Sequence, residues 1–339
     1  MARNTFELEG EKLMRKKRIA VVCLQGLDNF LQWVAPLNDY YEMKIFIIRS
    51  KDDVVKAVGY GDVIWCEWAN ESAMMVTKYL AESGNKNDKK VIVRLHSYEA
   101  LAGYPREINW DYVNHVVYVA EHVQEIINTF HNDLNINNKV QNTIVPNGVD
   151  IENIKLNKET GGRKICSVGA ISHKKNPAML FQIFRALLDV DDTFKLHVAG
   201  AYQEARYEIY INHMIRELDL VGKVVMHGNV NDMNKFYSDK DFILHTSIHE
   251  GHCVSITEAM ARGITPVVHN FYGADKQYGK EMLYNTVNEA VDMICDAVSQ
   301  PTKHRNYITD NGWTLKNQVE QFSNIIESVT GNVIMGDSE

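Results

Sequence analysis

The chain has 339 residues, enough for two ordinary domains, each with its own core. Its 45% hydrophobic and 24% charged content fits a globular protein. A net charge of −8 argues against a general polynucleotide binder, which needs surplus Lys and Arg to release counterions.

The five cysteines (Cys23, Cys66, Cys166, Cys253, Cys295) are odd in number and form no C-x-x-C pair. They read as reduced thiols in a cytosol-like compartment. No run approaches ~18 apolar residues and the N-terminus lacks an apolar core, so neither a membrane span nor a secretory leader is expected. The basic run Arg15-Lys16-Lys17-Arg18 offers a peripheral contact for an anionic membrane face, although such a run is more often the solvated approach to a first strand.

In chain order, 19–24 is a continuous apolar run, hence a buried parallel strand. The turn after it, Gln25-Gly26-Leu27-Asp28-Asn29, has one glycine where a dinucleotide fold wants G-x-G-x-x-G, so an oxidoreductase has no support. Further strands are expected at 44–48, 62–66, 90–95, 115–119 and 142–145, with helices such as 70–81 and 121–130 between them. Alternation of this kind predicts βαβ units and a parallel sheet. Trp65 and Trp68 follow a strand and read as packing or as a sugar-site wall. The strand at 90–95 delivers Arg94 and His96, two residues apart, to its carboxyl end, where open α/β sheets bind ligands.

A strand then runs into Pro146-Asn147-Gly148, and the polar stretch 152–164 marks a domain boundary. The pattern restarts with a strand at 164–168, a turn at Gly169, a helix at 177–188, a strand at 194–199, a helix at 205–218, a strand at 223–226 and a short helix at 231–237. The stretch 241–269 reads strand, loop, helix, strand. Ser255-x-x-Glu258 has the form of a capping box, and Gly263 ends the helix. Glu250 and Glu258, with seven residues between them, place one acid in the loop and one in the first helical turn. Helices at 287–297, 303–311 and 315–329 complete the chain.

HEGHCVSITEAMARG, together with PNGVD, SVG, KKNP and LHVAG in this order, resembles the family 4 type of retaining glycosyltransferases, whose fold is GT-B. The likeness is dense over 143–269 and thin before Lys90. It implies an α/β architecture of two Rossmann-like domains facing a cleft: 1–150 on the acceptor side, 151–310 binding a nucleotide sugar, and 311–339 crossing back. The implied catalytic residues are Glu250, His96 and Lys175. The implied donor contacts are Gly169, Lys174, Lys175, Arg94, Glu250, Gly251, His252, Cys253, Val254 and Glu258. The family usually has Arg after the SVG glycine, where this chain has Ala170, so either another cation such as Arg94 compensates or the donor is bound weakly. The pairs Asp189/Asp191 and Asp239/Asp241 have D-x-D spacing but lie away from carboxyl-end loops, so no cofactor or metal is expected. Cys253 shows no matched His base in the sequence and is not read as a nucleophile.

The expected partners are a nucleotide sugar and a hydroxyl acceptor, a glycan, a lipid, a lipid-linked glycan or another hydroxyl compound, with no nucleic acid. The alternatives are a phosphorylase or epimerase on the same architecture and a non-catalytic nucleotide-sugar or glycan binder.

Overall fold

The computed structural model describes residues 15–25, 31–84, 88–157 and 162–331. Gly26 to Asn29, the glycine of the first turn included, and Gly161 of the boundary stretch lie outside the described residues.

The first six strands are β1 (Arg18–Cys23), β2 (Glu42–Ile47), β3 (Val63–Glu67), β4 (Lys90–Leu95), β5 (His115–Tyr118) and β6 (Gln141–Ile144). They form one sheet in the order β2-β1-β3-β4-β5-β6, with every pairing parallel. The next six are β7 (Lys164–Val168), β8 (Lys195–Ala199), β9 (Val224–Gly228), β10 (Phe242–His245), β11 (Thr265–His269) and β12 (Leu283–Tyr284). Their order is β12-β11-β10-β7-β8-β9, again all parallel. Strands β1, β3, β4, β5 and β10 are buried along nearly their whole length, which is why they read as apolar runs rather than alternations.

Each order reverses where the chain returns past its first strand, and such switch points open a crevice at the carboxyl ends of the strands. In the second sheet that point falls between β7 and β10, which end at Val168 and His245. The loops that follow carry Gly169, Lys174 and Lys175 on one side and Glu250 to Cys253 on the other.

The helix Leu315–Thr330 packs on the first sheet, with Phe322, Ile325 and Ile326 in one core with Ile19, Val21, Trp33 and Trp65. The Phe322 ring meets Trp65 at 4.5 Å and Trp33 at 5.0 Å. Trp65 is therefore packing.

The basic run before β1 is engaged internally. Arg15 bridges Asp62 at 2.7 Å, Lys17 bridges Glu327 at 2.7 Å, and Lys16 donates to the Asp39 carbonyl. Of Arg15, Lys16, Lys17 and Arg18, three face acids (Arg18 lies 3.8 Å from Asp62), while Arg15 and Lys16 stay exposed. No helix among the described residues is long and apolar enough to cross a membrane.

Candidate active site in the interdomain cleft

A cleft of about 670 Å³ lies between the two sheets. Trp68, His96 and Asn147 line it from the first domain, and Gly169, Lys174, Lys175, Glu250 and Cys253 from the second. It ends at the helix Val254–Ala261, whose first residues Val254 and Ser255 also line it. The first backbone N–H groups of a helix have no partner within it, so this end of the cleft suits an anion.

Glu250 is the centre of the charge arrangement. Its carboxylate is 7% exposed and accepts from Lys174 Nζ at 2.8 Å, Lys175 Nζ at 2.7 Å and Ser247 Oγ at 2.9 Å. Burial works against its charge, but Lys175, His245 and Lys174 outweigh it and hold its carboxyl well below the usual range. Burial likewise opposes the Lys175 ammonium, and Glu250 more than restores it, so Lys175 titrates above an ordinary lysine. The lysine stem passes over Gly169. A Cβ there would lie 2.6 Å from Lys175 Cε, and Gly169 has φ +139°, a conformation that L side chains rarely adopt. This is the physical reason for a glycine after β7.

The three successive carbonyls of Glu250, Gly251 and His252 each accept one side-chain donor. His122 Nε2 reaches the first at 2.8 Å, Gln277 Nε2 the second at 2.9 Å and Asn147 Nδ2 the third at 2.8 Å. His122 and Asn147 belong to the first domain, so the loop is clamped across the cleft. Gly251 approaches that domain closely, a Cβ at this position lying 3.0 Å from Val119 Cγ2.

Asn147 also accepts from Arg94 Nη2 at 2.6 Å, and Arg94 Nη1 pairs with Glu67 at 2.9 Å. Both members of that pair are fully buried. The Arg94 guanidinium lies 5.0 Å from the Phe322 ring centre. Arg94 is thus a core residue that orients Asn147, and the sequence expectation that it replaces the missing phosphate-binding arginine is corrected. The reason is local: Arg94 and His96 share one side of β4, but Glu67 at the end of β3 captures Arg94 before it can reach the cleft.

His96 does line the cleft, with Nε2 3.2 Å from Glu67 Oε1. Burial lowers its pKa despite that carboxylate. His252 points the other way, its ring 4.5 Å from that of Trp313, and burial pushes it down to about 3. It offers the site only its backbone. Trp68 lines the cleft beside His96, with ring centres 5.6 Å apart, on a backbone with φ +83°. A left-handed conformation is costly for so bulky a residue and is held in place by its surroundings.

The helix Val254–Ala261 starts two residues earlier than the Ser255 cap would place it, with Cys253 at its N-cap and no side-chain cap. The capping box is not made, because Ser255 Oγ contacts Cys253 Sγ at 3.3 Å and the Val168 carbonyl at 3.4 Å. Glu258 sits one turn on from Val254, on the same helical face, half-buried, and among the described residues no donor reaches its carboxylate. Burial raises its pKa.

Cys253 has a histidine neighbour after all. His245 Nε2, at the end of β10, is 3.6 Å from Sγ. Burial pushes this thiol up, but Lys175 and His245 bring it down to about 7. The sequence hid the pair because β10 and the loop bring together residues eight positions apart through a turn that has no period. Asn147, His122, Gln277 and His245 were all missed as site residues. Only Asn147 carried a signal, as part of the quoted turn. The D-x-D acids are engaged elsewhere: Asp189 with Arg185, Asp191 with Arg163, Asp239 with Lys164, and Asp241 with the Lys164 backbone.

Two parallel six-stranded sheets with a crossing C-terminal helix and a cleft at their switch points agree with solved structures of known type. A structure from Anabaena, Alr3699/HepE in complex with UDP and glucose, superposes with a TM-score of 0.71 at 14% identity, covering 92% of this chain and 100% of that one. The fold is GT-B. The GT-B likeness extends to sucrose-phosphate synthase from Thermosynechococcus elongatus, with a TM-score of 0.71 at 11% identity over 93% of this chain and 100% of that one. Residues 149–312, the second GT-B domain, match the family model described as glycosyl transferases group 1. In sequence the chain is similar to alpha-monoglucosyldiacylglycerol synthase of Streptococcus pneumoniae, 24% identical over 182 residues. The match takes in 47% of this chain and 40% of that relative, so the chain spans about two fifths of its length.

Proposed function

We propose that this protein is a retaining glycosyltransferase that moves a sugar from a nucleotide-diphosphate sugar to a hydroxyl acceptor. The observation that carries the reading is the donor side of the cleft. Two lysines and a buried carboxylate meet beneath a helix N-terminus, beside a loop whose Glu250, Gly251 and His252 carbonyls are each turned to a side-chain donor. The N–H groups of such a loop are left for a diphosphate, and its leaving charge is stabilised by preorganised donors.

In this reading Lys175 and Lys174 hold the diphosphate, Glu250 orients the donor sugar through its hydroxyls, and Glu258 takes the ribose hydroxyls. His96 and Trp68 face the transferred sugar from the first domain. UDP is the first nucleotide to test, since it is bound in the similar Anabaena structure. The lysines supply the charge that a metal gives elsewhere, so turnover is expected in excess chelator.

A panel of nucleotide sugars screened by thermal shift identifies the donor, because a ligand of the native state raises stability by mass action. Release of nucleoside diphosphate with and without acceptor then tests transfer, and proton NMR of the product reads the anomeric configuration. Ala170 in place of the expected arginine favours one rival, a non-catalytic binder. Binding of a nucleotide sugar with no release of diphosphate under any acceptor would establish that rival. Inversion at the anomeric carbon would overturn the retaining assignment, and activity lost in chelator and restored by magnesium or manganese would overturn metal independence.

A further inference from the structure

Within the cleft, His245, Glu250 and Cys253 bring three donor atoms of different chemistry within 4.8 Å of one another. A tetrahedral zinc ion with bonds of ~2.0–2.3 Å sets neighbouring ligand atoms roughly 3.3–3.7 Å apart. His245 Nε2 lies 3.4 Å from Glu250 Oε1 and 3.6 Å from Cys253 Sγ, two edges of such a tetrahedron, and the Glu250–Cys253 edge, within 4.8 Å, has to close on binding. Imidazole, thiolate and carboxylate are also the three ligand types zinc takes. We propose that His245, Glu250 and Cys253 form a zinc site whose fourth position opens to the cleft.

The surroundings fit the proposal. Glu250 and Cys253 line the cleft, so an ion has an entry path and a water can complete the shell, while His245 closes the back. His245 Nε2 faces two acceptors, Glu250 Oε1 and Cys253 Sγ, so binding an ion there moves the ring proton to Nδ1, which is buried with no bonded partner. Glu250 Oε2 stays on Lys174 while Oε1, now shared by Lys175 and Ser247, turns to the ion. Binding converts the Cys253 thiol to thiolate and releases one proton to solvent, with no change of oxidation state. The ion takes Glu250 from Lys175. On the glycosyltransferase reading, which this part of the inference rests on, zinc therefore inhibits donor turnover rather than supporting it.

Cobalt(II) is the probe, titrated into metal-free full-length protein and followed by visible absorption. One equivalent should give intense tetrahedral bands with a thiolate-to-cobalt charge-transfer band, and zinc should bleach them. The charge-transfer band should vanish in Cys253→Ser, and cobalt affinity should fall more than about tenfold in Cys253→Ser and in His245→Gln. Circular dichroism and melting of the metal-free variants establish that they are folded. Zinc-edge X-ray absorption on the wild-type protein gives the same answer without a variant, as one sulfur near ~2.3 Å and lighter ligands near ~2.0 Å. Weak octahedral cobalt bands, a zinc shell without sulfur, or equal affinity in folded variants would overturn the site. If the spectra appear but zinc leaves turnover untouched, the site stands and the inhibitory role fails. A protein with no turnover to inhibit would instead fail the glycosyltransferase reading, and the zinc site would then stand or fall on the spectra alone.

Discussion

Lys175→Met tests the placement of the donor diphosphate most directly, because it removes one charge and keeps most of the stem over Gly169. Removing one partner of a buried ion pair typically costs ~3–5 kcal/mol, since it strands the other charge. Here Glu250 keeps Lys174 on its other oxygen and Ser247 on the same one, and Lys175 is itself 23% exposed, so a loss nearer ~2 kcal/mol is expected. A domain stable by ~5–15 kcal/mol stays folded at that cost. The effect on turnover is larger. Loss of one donor to the developing charge of a leaving group costs ~10²–10³ in kcat, equivalent to ~2.7–4 kcal/mol. Ala170 makes the dependence on Lys175 steeper, since no guanidinium fork stands beside it and Arg94 is held by Glu67 and Asn147. Urea denaturation gives the stability term, calorimetry the nucleoside-diphosphate affinity, and diphosphate release the rate, with Lys174→Met as the parallel variant. Ala170→Arg, which restores a fork at the mouth of the cleft, should tighten diphosphate binding. Unchanged affinity and turnover in folded Lys175→Met would show that the phosphates are held elsewhere.

Three other outcomes follow from the same geometry. Glu258→Gln should weaken nucleoside-diphosphate binding by ~1.5–3 kcal/mol while Glu250→Gln chiefly lowers kcat, which calorimetry and initial rates separate; a purely structural Glu258 would lower the melting temperature and leave affinity alone. Asn147→Ala removes the partner of Arg94 Nη2 and of the His252 carbonyl together, so a loss of ~2–4 kcal/mol in urea should accompany weaker donor binding, and additive behaviour with Gln277→Ala would argue against a shared clamp. Burial pushes Glu99 up from 4.5 to about 8, against the pull of three backbone N–H groups, so the folded chain keeps a proton that the unfolded chain has released. Stability from this group therefore falls as pH rises from near 4.5 through 8, by at most roughly 5 kcal/mol, and Glu99→Gln should flatten the slope in urea titrations at pH 5 and 8.

The sequence alone determined the parallel α/β architecture, because buried parallel strands must be continuous apolar runs and β4 and β7 could be read to the residue. It also marked the donor loop: glycine, acid and helix start occur together at 250–258, and the two lysines precede the helix Pro177–Val190. What it could not decide was the partner of each charge. Arg94 and His96 are equivalent by spacing and both reach Glu67 Oε1, 27 residues from Arg94, yet only His96 also lines the cleft. The Ser255–Glu258 spacing has the form of a cap, yet the Val168 carbonyl and Cys253 take the serine hydroxyl. His122, 128 residues from Glu250, and Asn147, 105 from His252, meet the donor loop only when the two domains face each other. Local patterns follow from periodicity and turn chemistry, which a single stretch contains. Hydrogen bonds between distant side chains depend on which strand ends the topology sets side by side, and only the tertiary structure supplies that.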